Sequence, residues 1–288
     1  MRRLLAFAVL VAAAVAPHAQ RAYDQAALAS ILERDTAVPD RPVQYKRYRL
    51  EHPSGNSVLA RHDLYEEIGE GDRDLGRARL AISQLLGQPD VTMLRTGDSL
   101  VLPARPSDFD LAPIAFSPYP WTWDGATAVD RLIVVDLTSQ TWAAYGRGWL
   151  LRWGPVSTGK AETPTPTGRY TMNWRALERE SSEAPPGETW LMRYVMNIYA
   201  VRGIHLHQYN VVPSGPPEGH GCIRLVTSDA QWLWDWTGGD TTTPGTVVIV
   251  QGTTPTAAPV RFVDGPSGPE RAMVTLPDDP MAVPRGDR

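Results

Sequence analysis

Residues 203–225 read GIHLHQYNVVPSGPPEGHGCIRL. The segment Gly203-Ile204-His205-Leu206-His207 has the alternation of a β-strand, which puts His205 and His207 on one face and Ile204 and Leu206 on the other. A Pro/Gly-rich loop follows, and Gly219-His220-Gly221-Cys222 then leads into Ile223-Arg224-Leu225. Three of the six histidines and the only cysteine fall within the eighteen residues from His205 to Cys222. Such a cluster, with glycines on both sides of the thiol, sets the reading of the surrounding chain as a β-framework built to present a few polar groups.

Outward from this stretch the strands continue. Leu132-Ile133-Val134-Val135 is an apolar run, and Thr141 to Tyr145 turns through Gly146-Arg147-Gly148 into Trp149 to Val156 as a hairpin. Arg169 to Trp174, Trp190 to Ala200 and Thr246 to Gln251 are also β-rich. One helix interrupts them. Ser228 with Gln231 three residues later is a capping-box start, and Asp229, Trp232, Leu233 and Trp236 share a face. The expected fold class is mainly β: a β-sandwich-like mixed-sheet domain over 126–252 with one packed helix, plus a small α+β N-terminal accessory domain over 23–105.

In that N-terminal part Leu75 to Leu86 carries a helical stripe, and Thr96 to Pro103 reads as a turn into a short strand. The prolines at 106, 113, 118 and 120 mark 106–125 as a linker, or as a segment strapped onto the next domain. Residues 253–288 are rich in Pro, Gly and Asp and read as a loose or surface-hugging tail.

Composition narrows the partners. The net charge of −4 supplies no basic field for a nucleic-acid backbone, which removes that class. At the N-terminus, Arg2 and Arg3 precede a short apolar run from Leu4 to Ala16, and small residues lead to a cut after Ala19. This is the layout of a secretory signal peptide over 1–19, so the expected location is the periplasm or cell envelope. An exported chain with a single cysteine has no internal disulfide to form, leaving Cys222 either a small buried hydrophobe or a group kept for reactivity.

A nucleophilic thiol needs a base. Its free pKa of roughly 8.5 leaves little thiolate at neutral pH, so an imidazole must take or share the proton. Either His205 or His207 is placed to do so. Glycines at 219 and 221 let backbone approach a substrate and let N–H groups point at a developing oxyanion. The same side chains admit another chemistry, since His205, His207, His220 and Cys222 are a possible four-ligand zinc set.

The chain resembles the YkuD-like L,D-transpeptidase catalytic domain in two motifs. One is "GIHLHQ", a loop, then "GHGCIRL"; the other is "VSTGKAETPTPTGRYT", Val156 to Thr171. The resemblance covers about residues 129 to 251. It implies that Cys222 is the nucleophile, that a strand histidine is the general base (His207 ahead of His205), and that His220 shapes the site. It further implies that Gly221, with the N–H of Cys222, forms the oxyanion hole, and that Arg224 lies near the substrate, with His205 and Gly219 lining the groove. Two positions depart from the family pattern: Gly219 stands where Ser or Thr is usual, and Gln208 follows His207 where Gly or Ser is common.

The implied reaction is acyl transfer from a peptidoglycan stem peptide, with an amine as acceptor, or with water in a carboxypeptidase. No cofactor is implied, and β-lactams of the carbapenem type are the expected inhibitors. "GDSLVLP", residues 97–103, resembles the ending of a LysM-type glycan-binding module, which implies a glycan contact through the N-terminal domain.

Overall fold

The structure, a computed structural model, describes residues 25–34, 41–211, 216–239 and 245–286. The leader expected at 1–19 lies outside them. The N-terminal part holds α1 (Gln25–Leu32), β1 (Tyr45–Arg49), α2 (Ser57–Ile68), α3 (Arg73–Leu80), α4 (Ile82–Leu85) and β2 (Ser99–Pro103), with β1 and β2 antiparallel. Then come β3 (Leu132–Asp136), β4 (Thr141–Gly146), β5 (Trp149–Ser157), β6 (Gly168–Thr171), β7 (Arg175–Glu180), β8 (Leu191–Tyr199), β9 (Ile204–Gln208), β10 (Ile223–Leu225), α5 (Thr227–Trp236) and β11 (Val247–Gln251). A final hairpin pairs β12 (Phe262–Gly265) with β13 (Gly268–Arg271).

Among the described residues, nine of these strands form one sheet in the order β6-β11-β3-β4-β5-β10-β9-β8-β7. The pairs β3/β11 and β9/β10 are parallel and the others antiparallel, so the sheet is mixed and the fold mainly β, as the residue pattern implies. The β4–β5 turn is Arg147-Gly148, with φ of 49° and 80°. Positive φ at both central residues is the hairpin geometry that matches strand twist, and a glycine at the second position adopts it without a Cβ penalty.

Both faces of the sheet are covered, which is why β3 reads as an unbroken apolar run. Alternate residues serve different cores. Leu132 and Val134 pack with Leu28 and Ile31 of α1, Leu64 of α2, Leu102, Phe109, Phe116 and Trp153. Ile133 and Val135 pack with Trp142, Met196, Leu206, Ile223 and, from α5, Ala230, Leu233 and Trp234. The N-terminal segment is thus built over one sheet face, continuous with its hydrophobic core.

Segment 106–125, read from its prolines as a linker or a strap, forms short 3₁₀ turns and buries Phe109, Phe116 and Tyr119 fully; Trp153 Nε1 donates to the Pro113 carbonyl at 2.8 Å. The 253–288 segment, read as a tail, contains the β12–β13 hairpin, in which Phe262 packs edge-on against Tyr45 at 4.9 Å.

Helix α5 sits under the strands that carry the histidines. It begins at Thr227 with Val226 as N-cap and no side-chain cap of its own, so the capping box expected at Ser228 does not form. Its first turn is satisfied from elsewhere. Gln25 Oε1 accepts from the Thr227 N–H at 3.0 Å, while Gln25 Nε2 donates to the Tyr209 carbonyl at 2.9 Å. Asp229, fully buried, accepts from Arg152 Nε at 2.8 Å and Trp142 Nε1 at 3.1 Å, which pins the helix to β4 and β5.

Candidate active site

Register places the groups. In the parallel β9/β10 pair Ile223 lies opposite Leu206 and Arg224 opposite His207. One step back along both chains, Cys222 meets His205, and His205 Nδ1 lies 3.4 Å from Cys222 Sγ. Because side chains alternate, Ile204, Leu206, Ile223 and Leu225 enter the core while His205, His207, Cys222 and Arg224 line a groove of ≈ 840 Å³.

The preference for His207 as base finds no contact to rest on, since the ring within reach of the thiol is that of His205. The His207 Nδ1–H donates to the Gln208 carbonyl at 2.8 Å, which fixes its tautomer, and the ring sits two residues further along the strand than the level of the thiol. The site unites Cys222 and His205, not Cys222 and His207. Nor is the zinc set assembled: among the described residues, no group of three or more His, Cys, Asp or Glu side chains is placed to hold a metal ion.

His220 is exposed and tilts over Trp190, ring centroids 6.4 Å apart, on the groove wall. Gly221 has φ of 110°, and a Cβ there would come within 2.9 Å of Ile204 Cδ1, so only glycine fits the turn that brings Cys222 to β9. A Cβ on Gly219 would press on the Thr158 carbonyl at 2.7 Å. The Ser or Thr that the family pattern puts there has no room in this turn.

The Val156–Thr171 motif acts as the clamp on that turn. The Thr165 hydroxyl accepts from the Gly159 N–H at 2.9 Å and donates to the Gly221 carbonyl at 2.8 Å. The Gly219 carbonyl accepts from the Lys160 N–H and from the Thr163 hydroxyl, and the Gly219 N–H donates to the Thr158 carbonyl. Through the Thr163 and Thr165 hydroxyl bonds, each between residues 56 positions apart in sequence, the two motifs are one hydrogen-bonded unit.

Burial sets the charge state of the pair. It pushes the Cys222 thiol up, opposed by a hydrogen bond from the His205 backbone and by the Arg224 charge. It pushes His205 down to about 4, with the Arg179 charge adding to the effect. Both shifts favour a neutral thiol beside a neutral imidazole at rest. The thiol has a second acceptor in the Gly203 carbonyl at 3.5 Å.

Residues that the sequence reading did not single out complete the groove. Trp174 packs against His205 with ring centroids 5.0 Å apart, and the Arg179 guanidinium lies 4.6 Å from the Trp174 ring. Arg224 stacks on Tyr209 at 4.4 Å, and Arg202 on the β8–β9 turn lines the same space. Arg179, Arg202 and Arg224 make no ion pair with a described residue, which leaves three cations facing the groove.

The YkuD family model, the L,D-transpeptidase catalytic domain, matches residues 130–250. Among solved structures, an L,D-transpeptidase from Mycobacterium smegmatis is 24% identical at a TM-score of 0.36, the match covering 43% of this chain and 59% of that one. L,D-transpeptidase 3 from Mycobacterium tuberculosis, in complex with a faropenem-derived adduct, is 24% identical at a TM-score of 0.34, covering 43% and 60%. An L,D-transpeptidase from Stackebrandtia nassauensis is 20% identical at a TM-score of 0.44, covering 72% and 98%. The chain thus spans less than two thirds of the length of the first of these structures. No protein of curated function matches. The family match starts two residues before β3 and stops one residue short of the end of β11, so the stretch that carries Cys222 and both histidine-bearing strands is the part of the chain similar to the YkuD L,D-transpeptidase catalytic domain.

Proposed function

We propose that the protein is a cysteine-dependent L,D-transpeptidase of the cell envelope, acting on peptidoglycan stem peptides through an acyl-thioester on Cys222. The observation that carries this reading is the 3.4 Å approach of His205 Nδ1 to Cys222 Sγ on the wall of the groove. His205 Nδ1 takes the thiol proton as sulfur bonds to the donor carbonyl carbon. The N–H groups of Gly221 and Cys222 hold the oxyanion. The C–N bond to the terminal D-amino acid then breaks, and the imidazolium returns the proton to the leaving amine. An acceptor amine attacks the thioester, gives its proton to His205, and sulfur leaves to recover that proton as thiol. The arginines facing the groove suit a donor that carries carboxylates.

The N-terminal leader expected at 1–19 directs such an enzyme to its substrate, and the 23–105 region is the part of the chain for a glycan contact. Incubation of the purified protein with a tetrapeptide donor or a carbapenem, followed by intact-mass measurement, tests the reading. A single covalent adduct is expected, absent in Cys222→Ala. An adduct that persists in Cys222→Ala refutes the assignment of the nucleophile.

A further inference from the structure

In the pair described above, the imidazole can accept the thiol proton at Nδ1 only as the tautomer that carries its hydrogen on Nε2. A histidine base is ordinarily held in that state by a carboxylate or carbonyl that accepts the Nε2 hydrogen. Here His205 Nε2 is buried and has no hydrogen-bond partner among the described residues. What packs on the ring instead is the indole of Trp174, at 5.0 Å between centroids and 60° between planes. An indole face is electron-rich; it attracts a nearby N–H and, more strongly, an imidazolium.

Trp174 is itself held between two groups. Its backbone carbonyl accepts from the Asn197 N–H at 2.9 Å, and the Arg179 guanidinium lies 4.6 Å from its ring. We infer that Trp174 is the positioning residue that orients the His205 base, its indole standing in for an acceptor at Nε2, and that Arg179 on the same indole opposes the positive charge created when His205 takes the thiol proton. The inference rests on the acyl-transfer reading of the site, but its test needs no turnover.

Other charged or titratable groups lie around the pair. His207 shares β9 with His205, Arg224 lies on β10, Arg202 is on the β8–β9 turn, and Glu183 comes from the β7–β8 loop. Arg224 and Glu183 act on the Cys222 sulfur with opposite signs, whereas Arg179 is the charge acting on His205. Substitutions at 174 and 179 therefore address the imidazole, not the sulfur.

Cys222 is the only cysteine in the chain, so its alkylation by iodoacetamide can be followed by intact mass. Rates are measured from about pH 5 to about pH 10, each protein being normalised to its own rate at the upper limit, where hydroxide, in place of His205, takes the thiol proton. That normalisation separates proton sharing from access to the groove. At neutral pH, Trp174→Leu is expected to react about tenfold more slowly than wild type, while Trp174→Phe, which keeps an aromatic face, stays within about threefold. Arg179→Gln is expected to react faster, by about threefold. Melting temperatures accompany each measurement. Equal slowing in Trp174→Leu and Trp174→Phe overturns the role of the indole, as does a wild-type profile in a folded Trp174→Leu. Should Trp174→Leu not fold, Arg179→Gln still decides: an unchanged or slower normalised rate overturns the proposal.

Discussion

Cys222 faces His205 because Ile223 is paired with Leu206. In a parallel ladder, one residue along β10 corresponds to one residue along β9, so Cys222 falls beside His205 and Arg224 beside His207. His205→Ala is therefore expected to lower turnover of an acyl donor by about 10²- to 10⁴-fold, the usual contribution of a general base. His207→Ala, which removes a ring already bonded to the Gln208 carbonyl, should cost about tenfold or less. Steady-state rates of the two variants side by side check this; equal losses would show that both rings share the proton transfer.

The difference between these two histidines marks where the sequence stopped being legible. Alternation put both rings on one face, but the 209–221 loop leaves the register of β10 against β9 open, and a two-residue slip, which keeps every side chain on its face, exchanges one partner for the other. The β4–β5 hairpin, by contrast, was readable because its turn chemistry is local to Gly146-Arg147-Gly148. Helix α5 was readable from its pattern but not its cap, since the acceptor for the Thr227 N–H comes from Gln25, 202 residues away. Strand β7, Arg-Ala-Leu-Glu-Arg-Glu, has little apolar signal because it is the exposed edge of the sheet, and it carries the Arg179 that reaches the site. The Trp174 neighbour of His205 has no motif around it; only the fold brings it there.

The buried imidazoles make stability depend on pH. Burial lowers both His205 and His207 to about 4, from the 6.5 of a free imidazole. As pH falls through that window the unfolded chain takes up protons that the folded chain refuses, so the unfolding free energy rises with pH from about 4 to about 6.5 and levels off above. Melting temperature should be flat near neutrality and decline across that window. A His205→Gln/His207→Gln double variant should decline less steeply. A slope identical to wild type would place the titration elsewhere.

The Thr165 clamp is open to a near-isosteric substitution. Thr165→Val preserves shape but leaves the buried Gly159 N–H and Gly221 carbonyl without their partner, a loss of about 1–3 kcal/mol by denaturant titration. The larger effect should be on reactivity, since the turn that aims Cys222 loses its tie to the 156–171 segment. Gly221→Ala should be more severe, because it combines a left-handed φ with a clash on Ile204. If Thr165→Val forms the carbapenem adduct at the wild-type rate, the clamp is structural only.

The Arg152–Asp229 pair tests how α5 supports the site from beneath. Asp229 is fully buried and its pKa is raised by that burial, with Arg152 and Trp142 opposing the shift. A buried pair costs both desolvation penalties, so its net worth is small, but removing one partner strands the other charge. Asp229→Ala is expected to destabilise the fold by about 3–5 kcal/mol, leaving Arg152 buried beside Trp232 with no counter-charge. An Arg152→Met/Asp229→Leu double variant, of similar volume and no charge, should recover most of that loss in urea titration. If the double variant is as unstable as Asp229→Ala, the bond from Asp229 to Trp142, and not the ion pair, is what holds α5 against the sheet.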